Sequence, residues 1–317
     1  MNIVVLDGHT LNPGDLSWDT ISTLGNLRVY ERTPVEEVVA KAKNADILLT
    51  NKAKVNADAI AQLSQLKYIG LLATGYDNVD IRAAREKNIP VTNVPAYSTS
   101  SVAQLTFALI LELIYHTGKR SAEVHEGAWS RSLDFCFGHE SLTELSGKTL
   151  GLIGLGQIGL TVARIGQAFG MKILAVVRHP EKYDHPGITF TDIPGCFREA
   201  DFLSLHCPLT TDNTRMVNKE LIAQMKPGAF LINTSRGGLI NESDLADALY
   251  NQQIAGAAVD VLSSEPPAVE NPLLTAPNCI VTPHIAWATR EARSRLMAQA
   301  ARNIEAFLNG QPCNLVN

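Results

Sequence analysis

A chain of 317 residues is long enough for two domains of ordinary size. Its 45% hydrophobic and 19% charged residues are the balance of a folded globular protein and exclude an extended disordered one. A net charge of -5 gives no electrostatic reason to bind nucleic acid or an acidic membrane surface, and neither partner is expected.

The chain opens with Asn2-Ile3-Val4-Val5-Leu6-Asp7. This stretch lacks the basic start, long apolar run and small-residue cleavage site of a signal peptide, and Ile3–Leu6 reads as a strand. Further strands are expected at Ile47–Thr50, Tyr68–Leu72 and Val91–Val94, with helices between them such as Pro34–Lys43 and Asp58–Gln65. That alternation predicts a parallel sheet covered by helices.

The pattern changes at Ser98. Ser98-Thr99-Ser100-Ser101 supplies helix-capping side chains, and Val102–Tyr115 follows as a helix apolar on nearly every face. It is too short to cross a bilayer, and Gln104 and Glu112 interrupt it. Burial in a core or between subunits is expected. A loop-rich segment, Gly127–Glu144, comes next.

From Lys148 a stricter α/β series begins. Its strands are expected at Thr149–Ile153, Ile173–Val177, Phe202–Leu205, Phe230–Asn233, Ala257–Asp260 and Ile280–Thr282. The last helix, Arg290–Leu308, has no obvious place in this series and is expected to return to the first. Two doubly wound α/β domains follow: a discontinuous one from residues 1–98 and 285–317, and one from 99–284. Cys136, Cys196, Cys207, Cys279 and Cys313 are scattered, with no CxxC pair or His/Cys cluster at ligand spacing. A reduced, cytoplasmic protein without a metal site is expected.

Gly154, Gly156 and Gly159 form a GxGxxG between a strand and a helix, the context in which that pattern means dinucleotide binding. Gly154 permits a tight turn, Gly156 lets a pyrophosphate approach the backbone, and Gly159 lets the helix pack on the strand. The helix N-terminus faces the phosphates with free N–H groups and its positive dipole end. NAD specificity ordinarily needs an acid at the end of the next strand. Val177 stands there and Arg178 follows, which favours NADP(H), although an arginine stacked on the adenine would suit either cofactor.

Three further stretches follow successive strands and so converge on one sheet edge, where open α/β folds bind ligands. Arg236 follows Leu231–Ser235, Asp260 and Glu265 lie in Val259-Asp260-Val261-Leu262-Ser263-Ser264-Glu265-Pro266-Pro267, and His284 lies in Thr282-Pro283-His284. Singly, each has a bland reading: a surface arginine, a solvated loop acid, a strand-end histidine. Together they suit hydride transfer to a 2-oxo acid. Arginine binds a carboxylate through two bonds, histidine supplies a proton near neutral pH, and a carboxylate beside it favours the charged imidazolium.

On these motifs, nearly the whole chain resembles the D-isomer-specific 2-hydroxyacid dehydrogenases. The stretches Leu72–Asp80, Asn93–Ser98 and Trp129–Phe135, with Trp287 after the histidine, look most like their glycerate dehydrogenase and hydroxypyruvate or glyoxylate reductase group. The resemblance implies a Rossmann domain, a flavodoxin-like substrate domain, a cleft that closes between them, and a homodimer that the Val102–Tyr115 helix could support. It implies NAD(P)(H)-dependent reduction of hydroxypyruvate or glyoxylate to D-glycerate or glycolate, and the reverse. Arg236 would bind the substrate, His284 would be the acid/base, and Glu265 would hold it charged. The backbone of Ala73, Thr74 and Gly75 would bind the substrate carboxylate. Thr106, Gln157, Ile158, Arg178, Cys207, Pro208 and Thr234 would line the cofactor site with the glycines, and Asp260 would hold the nicotinamide carboxamide.

The departures are the missing acid at Val177, an ending near residue 317 that speaks against 3-phosphoglycerate, and Glu265 where formate dehydrogenases have glutamine. A broader or D-lactate-type ketoacid reductase, and a non-catalytic NAD(H)-sensing corepressor, stay open as rivals. The intact arginine, glutamate and histidine speak against the second.

Overall fold

The computed structural model describes residues 1–138, 142–183 and 185–317, so residues 139–141 of the expected loop-rich segment lie outside it. Two compact units emerge: Met1–Ser98 with Trp287–Asn317, and Thr99–Ala286. The second crossing falls two residues beyond the position expected from sequence.

The first unit is built on strands β1 (Asn2–Val5), β2 (Asn26–Val29), β3 (Ile47–Thr50), β4 (Tyr68–Leu71) and β5 (Val91–Thr92). They form a parallel sheet in the order β2-β1-β3-β4-β5, the flavodoxin-like order. β3 and β4 are buried at every position, as strands covered on both faces must be. Val38, Ala42, Ala59, Ile60 and Ala84 cover one face from short helices. The Arg290–Leu308 helix covers the other, setting Leu296, Ala300 and Ile304 against Ile3, Val5, Ile47 and Leu49. Their four-residue spacing keeps them on one helical face. The Thr289 side chain accepts the Ala292 N–H and starts this helix.

The second unit contains β6 (Thr149–Ile153), β7 (Lys172–Val176), β8 (Ile188–Phe190), β9 (Phe202–Leu205), β10 (Phe230–Asn233), β11 (Gly256–Val259) and β12 (Cys279–Val281). The order β12-β11-β10-β9-β6-β7-β8, all parallel, is the Rossmann order with a seventh strand. Strand order reverses between β6 and β9, which puts the ligand-binding crevice at their C-terminal ends.

The Thr99–Tyr115 helix belongs to this unit's core. Phe107, Ile110 and Leu113 pack with Leu150, Leu152 and Val162. Most of its apolar side chains are buried inside its own unit, with Leu105 and Leu111 partly covered and Tyr115 exposed. No described helix is long and apolar enough to cross a membrane.

Candidate active site

At the end of β6, Gly154 has φ +101, a conformation that favours glycine. A side chain on it would lie 2.7 Å from the His206 carbonyl oxygen, so the missing Cβ also lets the ends of β6 and β9 meet. Gly156 has no heavy atom within 4 Å of where a Cβ would stand. Gly159 sits over the Gly154 carbonyl, leaving no room for a side chain. Turn, open approach and close packing thus fall on the three glycines in the order expected. The Gln157–Ala168 helix begins here, and the first turn of any helix leaves N–H groups for an anion.

Around this turn, Ser235 Oγ donates to the Cys207 carbonyl at 2.6 Å and Asn213 Nδ2 to the Pro208 carbonyl at 2.8 Å, fixing the segment after β9. Burial pushes the Cys207 thiol up, while the nearby Arg178 charge pulls the other way. The His206 imidazole is pushed down to about 4 by burial, and its Nε2 lies 2.9 Å from Ser204 Oγ. Val177 and Arg178 directly follow β7, with no acid at that strand end. These residues fit a dinucleotide.

The chemical residues come from three adjacent strands. Asn233 pairs with Val259 and Val259 with Val281, so β10, β11 and β12 end level. Past β10, the buried Asn233 side chain accepts the Ser235 N–H at 3.0 Å and donates to the Arg236 carbonyl at 2.9 Å. That turn presents Arg236, whose Nη1 donates to the Ser235 carbonyl. Gly237 then abuts the Leu262 backbone so closely that no Cβ fits. Leu262 N–H donates to Glu265 Oε1 at 3.1 Å, and Glu265 Oε2 lies 2.6 Å from His284 Nδ1. An unbroken run of contacts therefore joins the Arg236 loop to His284.

His284 has φ +53 and donates its N–H to the Asp260 carbonyl at 2.8 Å. A left-handed residue other than glycine costs about 1–2 kcal/mol. Asp260 offsets this. Its carboxylate, 1% exposed, accepts Thr282 Oγ1 at 2.6 Å, Ile285 N–H at 2.9 Å and Ala286 N–H at 2.8 Å. Burial pushes the Asp260 carboxyl up, and the Thr282 hydroxyl and the two amides oppose it. Most of Asp260's hydrogen-bonding capacity is thus used to shape the turn under His284. The His284 Nε2 has no hydrogen-bond partner among the described residues.

Thr106, expected beside the nicotinamide, is fully buried. Its hydroxyl donates to the Val102 carbonyl at 2.9 Å and lies 3.2 Å from Thr234 Oγ1, so it backs Thr234 rather than presenting a surface of its own.

In the first unit, Ala73–Gly75 follows β4. The Leu72 carbonyl accepts from Asn51 Nδ2, the Ala73 carbonyl from Val94 N–H and the Thr74 carbonyl from Asn93 Nδ2. The N–H groups of Ala73, Thr74 and Gly75 have no acceptor among the described residues. Consecutive unpaired amides suit an anion.

Two supporting residues escaped the sequence reading. Asn233 carries a signal, since an asparagine at a strand end two residues before a serine is the pattern of a side-chain-closed turn. Glu242 carries none. It accepts Ser263 N–H and Oγ and Asn271 Nδ2, anchoring the loop that bears Glu265.

A dinucleotide turn beside an arginine, a carboxylate and a histidine defines a nicotinamide-dependent oxidoreductase. Residues 107–286 match the family described as D-isomer specific 2-hydroxyacid dehydrogenase, NAD binding domain. The chain is 46% identical to a hydroxypyruvate reductase of Blautia hydrogenotrophica, covering 100% of both chains. It is 39% identical to a glycerate dehydrogenase of Methylorubrum extorquens, covering 90% of each. Among solved structures it resembles an acyclic imino acid reductase in complex with NADPH and D-Arg, with TM-score 0.88, 33% identity and 100% of both chains covered. The chain belongs to the D-isomer specific 2-hydroxyacid dehydrogenases.

Proposed function

We propose that the protein reduces hydroxypyruvate or glyoxylate to D-glycerate or glycolate, and runs the reverse reaction, with His284 as acid/base. The observation that carries this reading is the 2.6 Å His284–Glu265 pair, whose outer ring nitrogen has no hydrogen-bond partner among the described residues and whose loop adjoins that of Arg236. The similarity to the hydroxypyruvate reductase and glycerate dehydrogenase supports the choice of substrate.

Arg236 binds the substrate carboxylate and polarises the carbonyl oxygen, tasks a forked cation performs well. His284 gives the Nε2 proton to that oxygen while Glu265 holds the ring from Nδ1 and stabilises its charge. The amides of Ala73, Thr74 and Gly75 take the substrate carboxylate. The nicotinamide cofactor, when bound, supplies hydride to C2. Gly154, Gly156, Gln157, Ile158 and Gly159 would hold its pyrophosphate, with Cys207, Pro208 and Thr234 alongside. Asp260, with a lone pair left over, would hold its carboxamide.

NADP(H) is the favoured form. Arg178 supplies a guanidinium for a 2′-phosphate, and Val177 cannot accept from a ribose hydroxyl. Similar proteins have been solved with NADPH and with NAD, so the choice rests on Val177 and Arg178. A homodimer is proposed from the resemblance, with the neighbouring exposed residues Trp129, Leu133 and Phe135, of which Leu133 is 103% and Phe135 89% exposed, as its candidate contact surface. A cytoplasmic location is proposed from the scattered positions of the cysteines, which include no CxxC pair.

The test is oxidation of NADPH and of NADH, side by side, with hydroxypyruvate and with glyoxylate. Faster NADPH turnover supports both chemistry and cofactor. Preference for NADH keeps the chemistry and removes the role given to Arg178. Absence of turnover with any 2-oxo acid at saturating cofactor favours the sensor.

A further inference from the structure

In a trans peptide the C=O and the following N–H lie in one plane and point in opposite directions. Whatever grips the carbonyl of residue i therefore aims the N–H of residue i+1. Asn51 Nδ2, 2.6 Å from the Leu72 carbonyl, aims the Ala73 N–H. Val94 N–H, 2.9 Å from the Ala73 carbonyl, aims that of Thr74. Asn93 Nδ2, 2.8 Å from the Thr74 carbonyl, aims that of Gly75. Thr74 Oγ1 adds a bond to the Val94 carbonyl at 2.8 Å. Two of the three peptide planes thus depend on asparagine side chains.

Asn51 is itself held with unusual care. It is 2% exposed and stands at the switch point of the first sheet, just past β3. The Asp7 carboxylate, 5% exposed and just past β1, accepts Asn51 N–H at 2.8 Å and the N–H groups of Lys52 and Ala53. At the far end of the substrate loop, Asn78 Nδ2 donates to the Ala53 carbonyl at 3.0 Å, and Val55 N–H donates to the Asn78 carbonyl at 2.8 Å. The 72–78 loop therefore hangs from two points on one segment that Asp7 fixes. Asn51 Oδ1 is buried with no partner among the described residues. An orphaned buried amide oxygen lowers stability, and an apolar residue of equal size would remove it. What such a residue could not do is grip the Leu72 carbonyl.

We propose that Asn51, seated by Asp7, and Asn93 are positioning residues for substrate binding, which turn the Leu72 and Thr74 carbonyls inward so that the Ala73 and Gly75 amides meet the substrate carboxylate. This rests on the reading of Ala73–Gly75 as the carboxylate site.

The test uses full-length wild type, Asn51→Leu and Asn93→Ala, with oxamate as the carboxylate probe in the presence of saturating NADPH. Amide NMR shifts of Ala73, Thr74 and Gly75 are followed during titration, and KM and kcat are measured with hydroxypyruvate. In wild type the three amides move. Each variant weakens oxamate and raises KM by roughly tenfold or more while kcat stays within about threefold, because uniform binding is what is lost. Asn51→Leu exchanges the orphaned amide oxygen for an unpaired Leu72 carbonyl, so the readout that a merely structural role would not give is the rise in KM at nearly constant kcat. Wild-type amides that ignore oxamate would remove the carboxylate site and this inference with it. Amides that move in wild type, with folded variants that bind oxamate equally well, would overturn the inference alone. Asn51→Ser, which keeps a shorter donor, gives an intermediate KM and carries the test if Asn51→Leu does not fold.

Discussion

His284 Nδ1 and Glu265 Oε2 lie 2.6 Å apart, and the other Glu265 oxygen is tied to Leu262 N–H. A carboxylate fixed at both oxygens can hold an imidazole ring in one orientation, with its far nitrogen turned to the substrate. Glu265→Gln keeps the shape and removes the charge, so ketoacid reduction should fall by about tenfold or more at a fixed pH. A reductive rate equal to wild type would disconnect Glu265 from His284.

Gly237 lets the loop bearing Arg236 lie against the Leu262 backbone. Gly237→Ala forces a methyl into that contact, and overpacking of this kind costs about 1–3 kcal/mol. The cost should appear as a lower melting temperature together with a rise in KM, because Arg236 moves away from the Glu265 loop. A variant with wild-type KM would mean that the two loops need no mutual contact.

Leu133 and Phe135 are among the most exposed apolar side chains in the chain, and Trp129 Nε1 donates to the Phe135 carbonyl at 2.9 Å to hold their loop. If this segment is the subunit interface, Leu133→Glu with Phe135→Glu should convert the dimer to a monomer in sedimentation velocity. A double variant that sediments with wild type would place the interface elsewhere.

Burial holds the His206 imidazole down to about 4, against an ordinary 6.5. Between those values the unfolded chain binds the proton and the folded chain does not, so stability falls as pH drops from about 6.5 toward 4. Below the folded value both forms are protonated and this contribution flattens. His206→Asn should therefore show a shallower decline of melting temperature over that window in the cofactor-free protein. Parallel curves for the two proteins would assign the decline to other groups.

Much of this could be read from sequence because central strands of parallel sheets are apolar at every position. β3, β4, β9 and β11 are buried throughout, and each is a short, predominantly apolar run, broken only by Thr50 in β3 and Ser204 in β9. β2 and β8 escaped notice. Both are edge strands, with Asn26 and Arg28 exposed in one and only three residues in the other, so neither offers a run or an alternation. β5 is shorter than expected because Val94 N–H is drawn to the Ala73 carbonyl. The residues that do the chemistry were legible because their types and strand-end positions carry the signal. Those that aim them were not. Asp7 and Asn51 are 44 residues apart in sequence, and only the register of β1 against β3 brings them together. The part Asp260 plays in shaping the turn under His284 was hidden for the same reason, since its bonds to Ile285 and Ala286 span 25 and 26 residues.

The central claim, that this site reduces a 2-oxo acid with a fixed hand, is tested most directly by supplying hydroxypyruvate with NADPH and with NADH, and determining the chirality of the glycerate formed. The account predicts turnover that yields D-glycerate and is abolished in His284→Ala. L-glycerate, or turnover that survives His284→Ala unchanged, would contradict it.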